Sequence, residues 1–209
     1  MTELTKEQLL TADPSAVDPQ ALMFEGLRGD PSKHLSTAAL EAALAALESP
    51  PRSSGRVDLL VARGPHGERT VHEEAWLSVE GGMPGDRWAQ QTKYGPDHQL
   101  ATARTDFATV VANGQPLSLH GDNLFLTLDL SAANLPAGSV LALGAARVRV
   151  TPVAHNGCKK WVQRFGLCAM QLNLAPQFRS QHLRGIYLQV VEAGLVRTGD
   201  LVTVLHRPG

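Results

Sequence analysis

Apolar residues in the first fifty positions recur with the spacing of a helix. Within 36–48 the leucines fall at i, i+4 and i+7 and share one face, at positions Leu40, Leu44 and Leu47. Ser36 carries a side chain that caps a helix at its amino end, and Pro50 is suited to stop the helix. A shorter helix is expected within 2–10, and the residues at 49–55 are typical of a linker. The amino-terminal quarter is therefore predicted to be a helical extension.

Beyond residue 55 the apolar positions form short runs, as they do in β-strands, and glycine-containing turns separate them. Strands are expected at 57–63, 70–79, 107–112, 123–130, 140–143, 147–153, 186–192 and 201–205. The first two flank a Gly-Pro-His-Gly turn at 64–67, which predicts a hairpin. Helical spacing returns only between 158 and 180. Many short strands with one or two inserted helices are typical of a barrel. The chain is therefore predicted to be mainly β, with an extension and linker at 1–55 and a β-barrel domain at 56–209.

Composition and charge exclude several classes of function. The chain has 209 residues, 43% of them apolar, which is enough for a sizeable core. A formal net charge of −1 gives no electrostatic basis for binding nucleic acid or an anionic membrane. No run approaches the roughly 20 apolar residues of a membrane span, and the first ten residues lack a secretory pattern. Two cysteines do not make a disulfide framework. We expect a cytoplasmic protein.

The residues around Cys158 are the strongest candidates for chemistry. A strand is expected to end at Pro152, a short loop carries His155, and Cys158 opens a helix. A thiol at the amino end of a helix faces unpaired N–H groups, and the neighbouring lysines and a protonated His155 would add positive charge. These features favour the thiolate, which attacks electrophiles and ligates soft metals. A small buried residue at a strand–helix corner is the alternative. A disulfide from Cys158 to Cys168 is not expected, because a continuous helix would hold them roughly 15 Å apart.

Five fragments, in the same order along the chain, resemble the MOSC domains found at the carboxyl end of molybdenum cofactor sulfurases. The first, Gly-Met-Pro-Gly-Asp-Arg-Trp, resembles the Gly-Asp-Arg-His loop, and the second, Gly-Asp-Asn-Leu-Phe, resembles a Gly-Glu-Asn-Leu element. A Gly–strand–Gly step, the cysteine loop and the closing Arg-Gly-aliphatic-Tyr strand with its Gly-Asp turn follow. The five lie at 82–88, 121–125, 136–144, 147–166 and 183–204.

The resemblance implies a MOSC-type β-barrel and a molybdenum cofactor (molybdopterin) site. Cys158 would be the metal ligand or a persulfide carrier, with His155 beside it. The residues that would line the cofactor pocket are Asp86, Arg87, Asn123 and Arg184. The chain would then be a molybdenum-dependent oxidoreductase acting on N-oxygenated small molecules, or a carrier of sulfurated cofactor. No flavin, haem or iron–sulfur motif is present, so a reductase would need a separate electron donor.

The sequence also departs from the family pattern and leaves other functions open. Gly157 stands where proline often precedes the cysteine, and Trp88 replaces the histidine of the Gly-Asp-Arg loop. The aminotransferase-like domain of the sulfurases is missing, so no pyridoxal phosphate chemistry is expected. The alternatives are a metal-free sulfur carrier that uses a Cys158 persulfide, and a binding module that keeps the barrel without the chemistry. The extension is expected to be a packing lid or a homodimer contact.

Overall fold

Seven β-strands close into a barrel in the computed structural model, which describes residues 6–22 and 24–209. The described residues form ten strands in all: β1 (Ser54–Arg63), β2 (Arg69–His72), β3 (Glu74–Leu77), β4 (Leu100–Arg104), β5 (Leu124–Leu126), β6 (Val140–Leu143), β7 (Ala146–Ala154), β8 (Ile186–Glu192), β9 (Gly194–Arg197) and β10 (Leu201–His206). Around the barrel the order is β10-β6-β7-β8-β4-β5-β1, and β1 pairs back onto β10. The expected β-barrel is confirmed.

Most neighbouring strands of the barrel are antiparallel, and β4 and β5 form the parallel pair. β2 extends the sheet beyond β1 as the expected hairpin. β3 and β9 pair with each other in a separate two-stranded ribbon. Because β1 contacts β10, β5 and β2 along its ten residues, it anchors both the barrel seam and the hairpin.

Side chains that alternate along the strands fill the barrel. In β7, Val148 and Val150 are buried while Arg147 and Arg149 are exposed, as the alternation of that segment predicts. The leucines that the strands contribute to this core are Leu60, Leu77, Leu100, Leu124, Leu126, Leu141, Leu143 and Leu188. At about 1.5–3 kcal/mol for each large apolar side chain removed from water, this core is a major stabilising contribution to the domain.

Five α-helices of the described part of the chain lie outside the barrel. No described helix is long and apolar enough to cross a membrane. The five are α1 (Lys6–Thr11), α2 (Thr37–Ala46), α3 (Thr105–Ala112), α4 (Lys159–Phe165) and α5 (Leu167–Leu174). Ser36 caps α2 by accepting a hydrogen bond from the Ala39 N–H, as predicted. The helix expected within 2–10 is described only from Lys6 onward, because residues 1–5 lie outside the described part.

The extension packs against the barrel's own helices and forms a second apolar core with them. Leu9, Leu22 and Leu40 from the extension are buried in this core. The residues they join from the rest of the chain include Phe107, Val111, Trp161, Phe165, Met170 and Leu172. The extension is therefore part of the packed structure.

Some strand predictions were wrong. Residues 107–112 form most of helix α3, because Phe107, Ala108, Val111 and Ala112 are buried with helical rather than alternating spacing. The run at 70–79 divides at Glu73, where the chain leaves β2 for β3 and the ribbon with β9. The strand expected at 123–130 is limited to β5.

Gly185 allows β8 to start directly against β4. Its φ is +111°, and a Cβ there would lie 1.9 Å from the Thr102 carbonyl oxygen. Gly114 also has a positive φ, +87°, but has open space around it.

We expect Gly114→Ala to lower the free energy of unfolding by about 1–2 kcal/mol, because of its backbone conformation alone. Gly185→Ala should cost more than about 3 kcal/mol, because strand β4 would have to move. Urea unfolding measures both, and equal losses would contradict the close contact.

Candidate functional site

A cavity of about 720 Å³ lies where the β1–β2 turn, the segment before β4, the β7–α4 loop and the start of β8 meet. Eight of the chain's 19 lysines and arginines line it. These are Arg63, Arg69, Arg87, Lys93, Lys159, Lys160, Arg164 and Arg184. Among the described residues no aspartate or glutamate is part of the lining. A chain with almost no net charge therefore concentrates its cations in one place.

The pKa values of the cavity cations reflect this concentration. Burial, followed by the charges of nearby arginines, lowers the pKa of Arg69 to about 10. Burial and neighbouring guanidinium groups also lower the pKa of Lys160 below its usual value. Arg69 is charged at neutral pH, and both side chains lie close enough to other cations to interact unfavourably with them. An anion entering the cavity would relieve that repulsion.

The turn at 118–121 holds four of the arginines by its backbone. Each of its four successive carbonyl oxygens accepts a hydrogen bond from a different guanidinium. The pairs are Ser118 with Arg69 Nε at 3.1 Å, Leu119 with Arg164 Nη1 at 3.0 Å, His120 with Arg184 Nη2 at 3.3 Å, and Gly121 with Arg63 Nη1 at 3.3 Å. Gly121 has a φ of +82°, a left-handed conformation that glycine adopts readily. These bonds bring β1, β2, α4 and the start of β8 to one cavity wall.

Asp86 and Asn123, both predicted as pocket residues, lie behind the lining and hold Arg63. Asp86 accepts from Arg63 Nε at 2.8 Å and from Nη2 at 3.0 Å. Asn123 donates from Nδ2 to Asp86 Oδ2 at 2.7 Å and also ties β1 to β4. Burial would raise the pKa of Asp86, but the bonds from Arg63 and its charge outweigh that effect and lower it. Any effect of these two residues on a ligand would pass through Arg63.

Asp122 also lies behind the lining, next to the lining residues Arg184 and His155. Its Oδ2 accepts from Arg184 Nη1 at 2.6 Å, and its Oδ1 lies 3.5 Å from His155 Nε2. Burial, reinforced by the Arg184 charge, lowers the pKa of His155 well below its usual value, so the imidazole is neutral. Arg184 Nε, His155 Nδ1 and Asp122 Oδ1 are buried without a hydrogen-bond partner among the described residues. Asp122 therefore binds Arg184 directly and lies close to His155 without a hydrogen bond to it.

Cys158 lies at the cavity with its side chain exposed. β7 ends at Ala154, and the loop through His155 leads to Cys158, which has an extended backbone and precedes α4. Cys158 and Cys168 are both free thiols, as expected. The structure thus brings Cys158 and His155 to one cavity with Arg87 and Arg184.

Most of the lining was not predicted from the sequence. Arg63, Arg69 and Arg164 gave no motif, because they lie on different elements and meet only at the 118–121 turn. A row of rings was also missed. Tyr94 lies 5.0 Å from His98, His98 lies 5.1 Å from Tyr187, and Tyr187 lies 4.4 Å from His155, measured between ring centroids. The one available signal was Trp88, noted as a departure from the family pattern, which also lines the cavity.

The side chain of His120 is a neutral ring that attaches the 118–121 turn to α3 and α4. Its Nδ1 accepts from Trp161 Nε1 at 3.2 Å, its Nε2 lies 2.9 Å from the Ala108 carbonyl, and it stacks on Phe165. Because Nδ1 accepts, Nε2 carries the proton. Burial, followed by the Arg184 charge, lowers the pKa of His120 to about 3.

Stability should therefore fall below the pKa of an unfolded histidine. The unfolded chain binds a proton near pH 6.5 that the folded His120 does not accept until about pH 3. The contribution of neutral His120 to the free energy of unfolding is fully present above about pH 6.5 and is lost as the pH falls below that value. Between pH 7 and pH 5 the wild type should lose about 2 kcal/mol more than His120→Phe, measured by urea unfolding at each pH. A matched His206→Phe variant, altered at an exposed position, should lose as much as the wild type. An equal loss in His120→Phe would contradict the neutral ring.

Comparisons with known proteins agree with this architecture. YuaD from Bacillus subtilis is 17% identical, with a TM-score of 0.52 over 75% of this chain and 98% of that chain. YiiM from Geobacillus stearothermophilus is 14% identical, with a TM-score of 0.51 over 73% of this chain and 76% of that chain. At these identities the likeness shows the fold alone. A search of curated proteins found no match.

The family assignment comes from the sequence itself. The MOSC domain model matches residues 83–203, which is more than half of the chain. The matched range includes Arg87, the 118–121 turn, Cys158 and Arg184. The chain belongs to the MOSC domain family.

Proposed function

We propose that the cavity binds the molybdenum cofactor and that Cys158 is the ligand to its metal. The proposal is supported above all by one observation, an exposed thiol in a cavity lined by eight cations and no described carboxylate. The cofactor is a pterin with a phosphate group, and thiolate is a ligand suited to soft metals. The residues present fit both parts of such a group.

The unpaired atoms of the cavity support a polar ligand. Arg184 Nε and His155 Nδ1 are buried and have no partner in the described part of the chain. A buried donor or acceptor left unpaired costs about 1–3 kcal/mol. Arg69 and Arg164 are held by backbone carbonyls, so their positive charge is not cancelled by a bound carboxylate. A phosphate would pair with guanidinium groups of this kind.

The residues in and behind the lining then have separate roles. Arg69, Arg87 and Arg164 would hold the phosphate, and Arg184 would donate to the polar part of the ligand. Asp86 and Asn123 keep Arg63 in place, and Asp122 keeps Arg184 in place. When bound, molybdenum supplies two-electron chemistry with transfer of an oxygen atom.

The reaction that we propose is reduction of N-oxygenated small molecules, with electrons from a separate protein. Release of the substrate oxygen as water consumes two protons and two electrons. Tyr187 is a candidate proton holder at its Oη, because burial raises the pKa of this phenol and its ring contacts His155. His155 is neutral, and its Nε2 lies 3.5 Å from Asp122 Oδ1. Transport of sulfurated cofactor would use the same cavity and the same thiol.

Molybdenum content tests the proposal directly. Wild type, Cys158→Ser and Cys168→Ser are purified from a host that makes the cofactor, and the metal is measured per chain. We expect near-stoichiometric molybdenum in the wild type and in Cys168→Ser, the matched thiol control, and a loss of most of it in Cys158→Ser. Molybdenum retained by Cys158→Ser would overturn the assignment of the ligand.

The absence of molybdenum from all three proteins would overturn the cofactor proposal. An assay for sulfane sulfur on Cys158 would then separate the two remaining functions. A labile sulfur that disappears in Cys158→Ser would support a metal-free persulfide carrier. Its absence would support a binding module.

A further inference from the structure

Residues 24–29 of the extension, here called the strap, run against the outer side of two cavity cations. The Glu25 carbonyl accepts from Lys160 Nζ at 3.1 Å, and the Leu27 carbonyl accepts from Arg164 Nε at 2.9 Å. Both cations line the cavity, and Arg164 is also bound to the 118–121 turn. The strap itself lies outside the lining and outside the residues matched to the MOSC domain.

Phe24 is the aromatic member of the strap. Its ring centroid lies 5.2 Å from Arg28 Cζ, 5.6 Å from Lys160 Nζ and 5.9 Å from Arg164 Cζ. A cation within about 6 Å of an aromatic ring is attracted by the negative face of the ring. One partly buried ring therefore contacts two cations of the cavity wall.

Close backbone contacts fix the strap in this position. A Cβ on Gly29 would lie 2.3 Å from the Arg164 carbonyl oxygen, and Gly26 packs on Gly67 of the β1–β2 turn. The Gly29 N–H donates to Gln163 Oε1 at 2.9 Å, and Gln163 Nε2 donates back to the Gly29 carbonyl at 3.3 Å. An ion pair between Glu25 and His66 joins the strap to the same turn. The strap is thus attached to α4 and to the hairpin that carries Arg69.

The groups of the strap that contact these cations directly are neutral, and the Glu25 carboxylate acts on Lys160 only through its charge. A ring face or a carbonyl attracts a cation through its quadrupole or dipole without cancelling the formal charge. A carboxylate in the same place would compete with an incoming anion. The strap therefore orients Lys160 and Arg164 and leaves their charge available to a ligand.

We propose that Phe24 is a positioning residue for the anion-binding part of the cavity, acting through Lys160 and Arg164. The ligand class is a phosphate or pyrophosphate group. The inference deepens the proposed function and rests on it for the identity of the natural ligand. It assigns to the extension a role in binding, beyond the packing or dimer contact expected from the sequence.

Pyrophosphate binding tests this role in the full chain. The dissociation constant is measured by titration calorimetry at low salt for the wild type, Phe24→Leu, Phe24→Tyr and Leu27→Ala. We expect Phe24→Leu to weaken binding about three- to tenfold, because leucine has no ring face for the cations. Phe24→Tyr should stay within about twofold of the wild type, since the ring is kept. Leu27→Ala is the matched control, because it shortens an exposed side chain of the strap and keeps the backbone carbonyl that binds Arg164.

Pyrophosphate binding that is weakened in Phe24→Leu and kept in Phe24→Tyr would show that the aromatic ring, rather than packing in general, is required. Unfolding temperatures identify any variant that fails to fold, and Phe24→Met then replaces Phe24→Leu. The proposal is overturned if a folded Phe24→Leu or Phe24→Met binds pyrophosphate as the wild type does. It is also overturned if Phe24→Tyr is as weak as Phe24→Leu, or if the wild type binds no pyrophosphate.

Molybdenum content, measured on the same preparations, distinguishes this inference from the proposed function. Normal molybdenum in the wild type with equal pyrophosphate affinity in all variants would overturn the role of Phe24 alone. Pyrophosphate binding that depends on the ring, in protein that never carries molybdenum, would support the role of Phe24 and overturn the cofactor proposal.

Discussion

Four hydrogen bonds from arginines to the consecutive carbonyls of the 118–121 turn determine the shape of the cavity. They join β1, β2, α4 and the residue before β8 to one turn. The turn is itself held by the neutral ring of His120 beneath it, between Trp161 and Phe165. A change in this turn would therefore displace several cations together.

The placement of carboxylates explains how so many cations coexist. Asp86 and Asp122 are buried behind the wall, where each neutralises one arginine and orients it. Arg69 and Arg164 are bound by carbonyl groups and, in the case of Arg164, by the Phe24 ring. Buried carboxylates thus orient Arg63 and Arg184 from behind the wall, and neutral carbonyl groups bind Arg69 and Arg164. The result is a concentrated positive field in a chain whose net charge is −1.

Local patterns predicted the elements that depend on local interactions. The strand at 186–192 has the predicted bounds, and the helix expected within 36–48 forms with its predicted cap. Residues 107–112 were assigned to the wrong class, because a short apolar run does not distinguish a buried helix from a strand. The loop around Cys158 could be predicted because its residues are consecutive. Arg63, Arg69 and Arg164 could not, since their proximity depends on tertiary contacts between residues 45 to 58 positions apart.

The seam between β1 and β10 determines when the cavity can be completed during synthesis. β1 is the first barrel strand to be made, and its partner β10 is the last. Until β10 leaves the ribosome, β1 and β6 each keep an unpaired edge, and the barrel that supports Arg63 remains open. A molecule that binds in the completed cavity would therefore enter only after β10 has paired with β1.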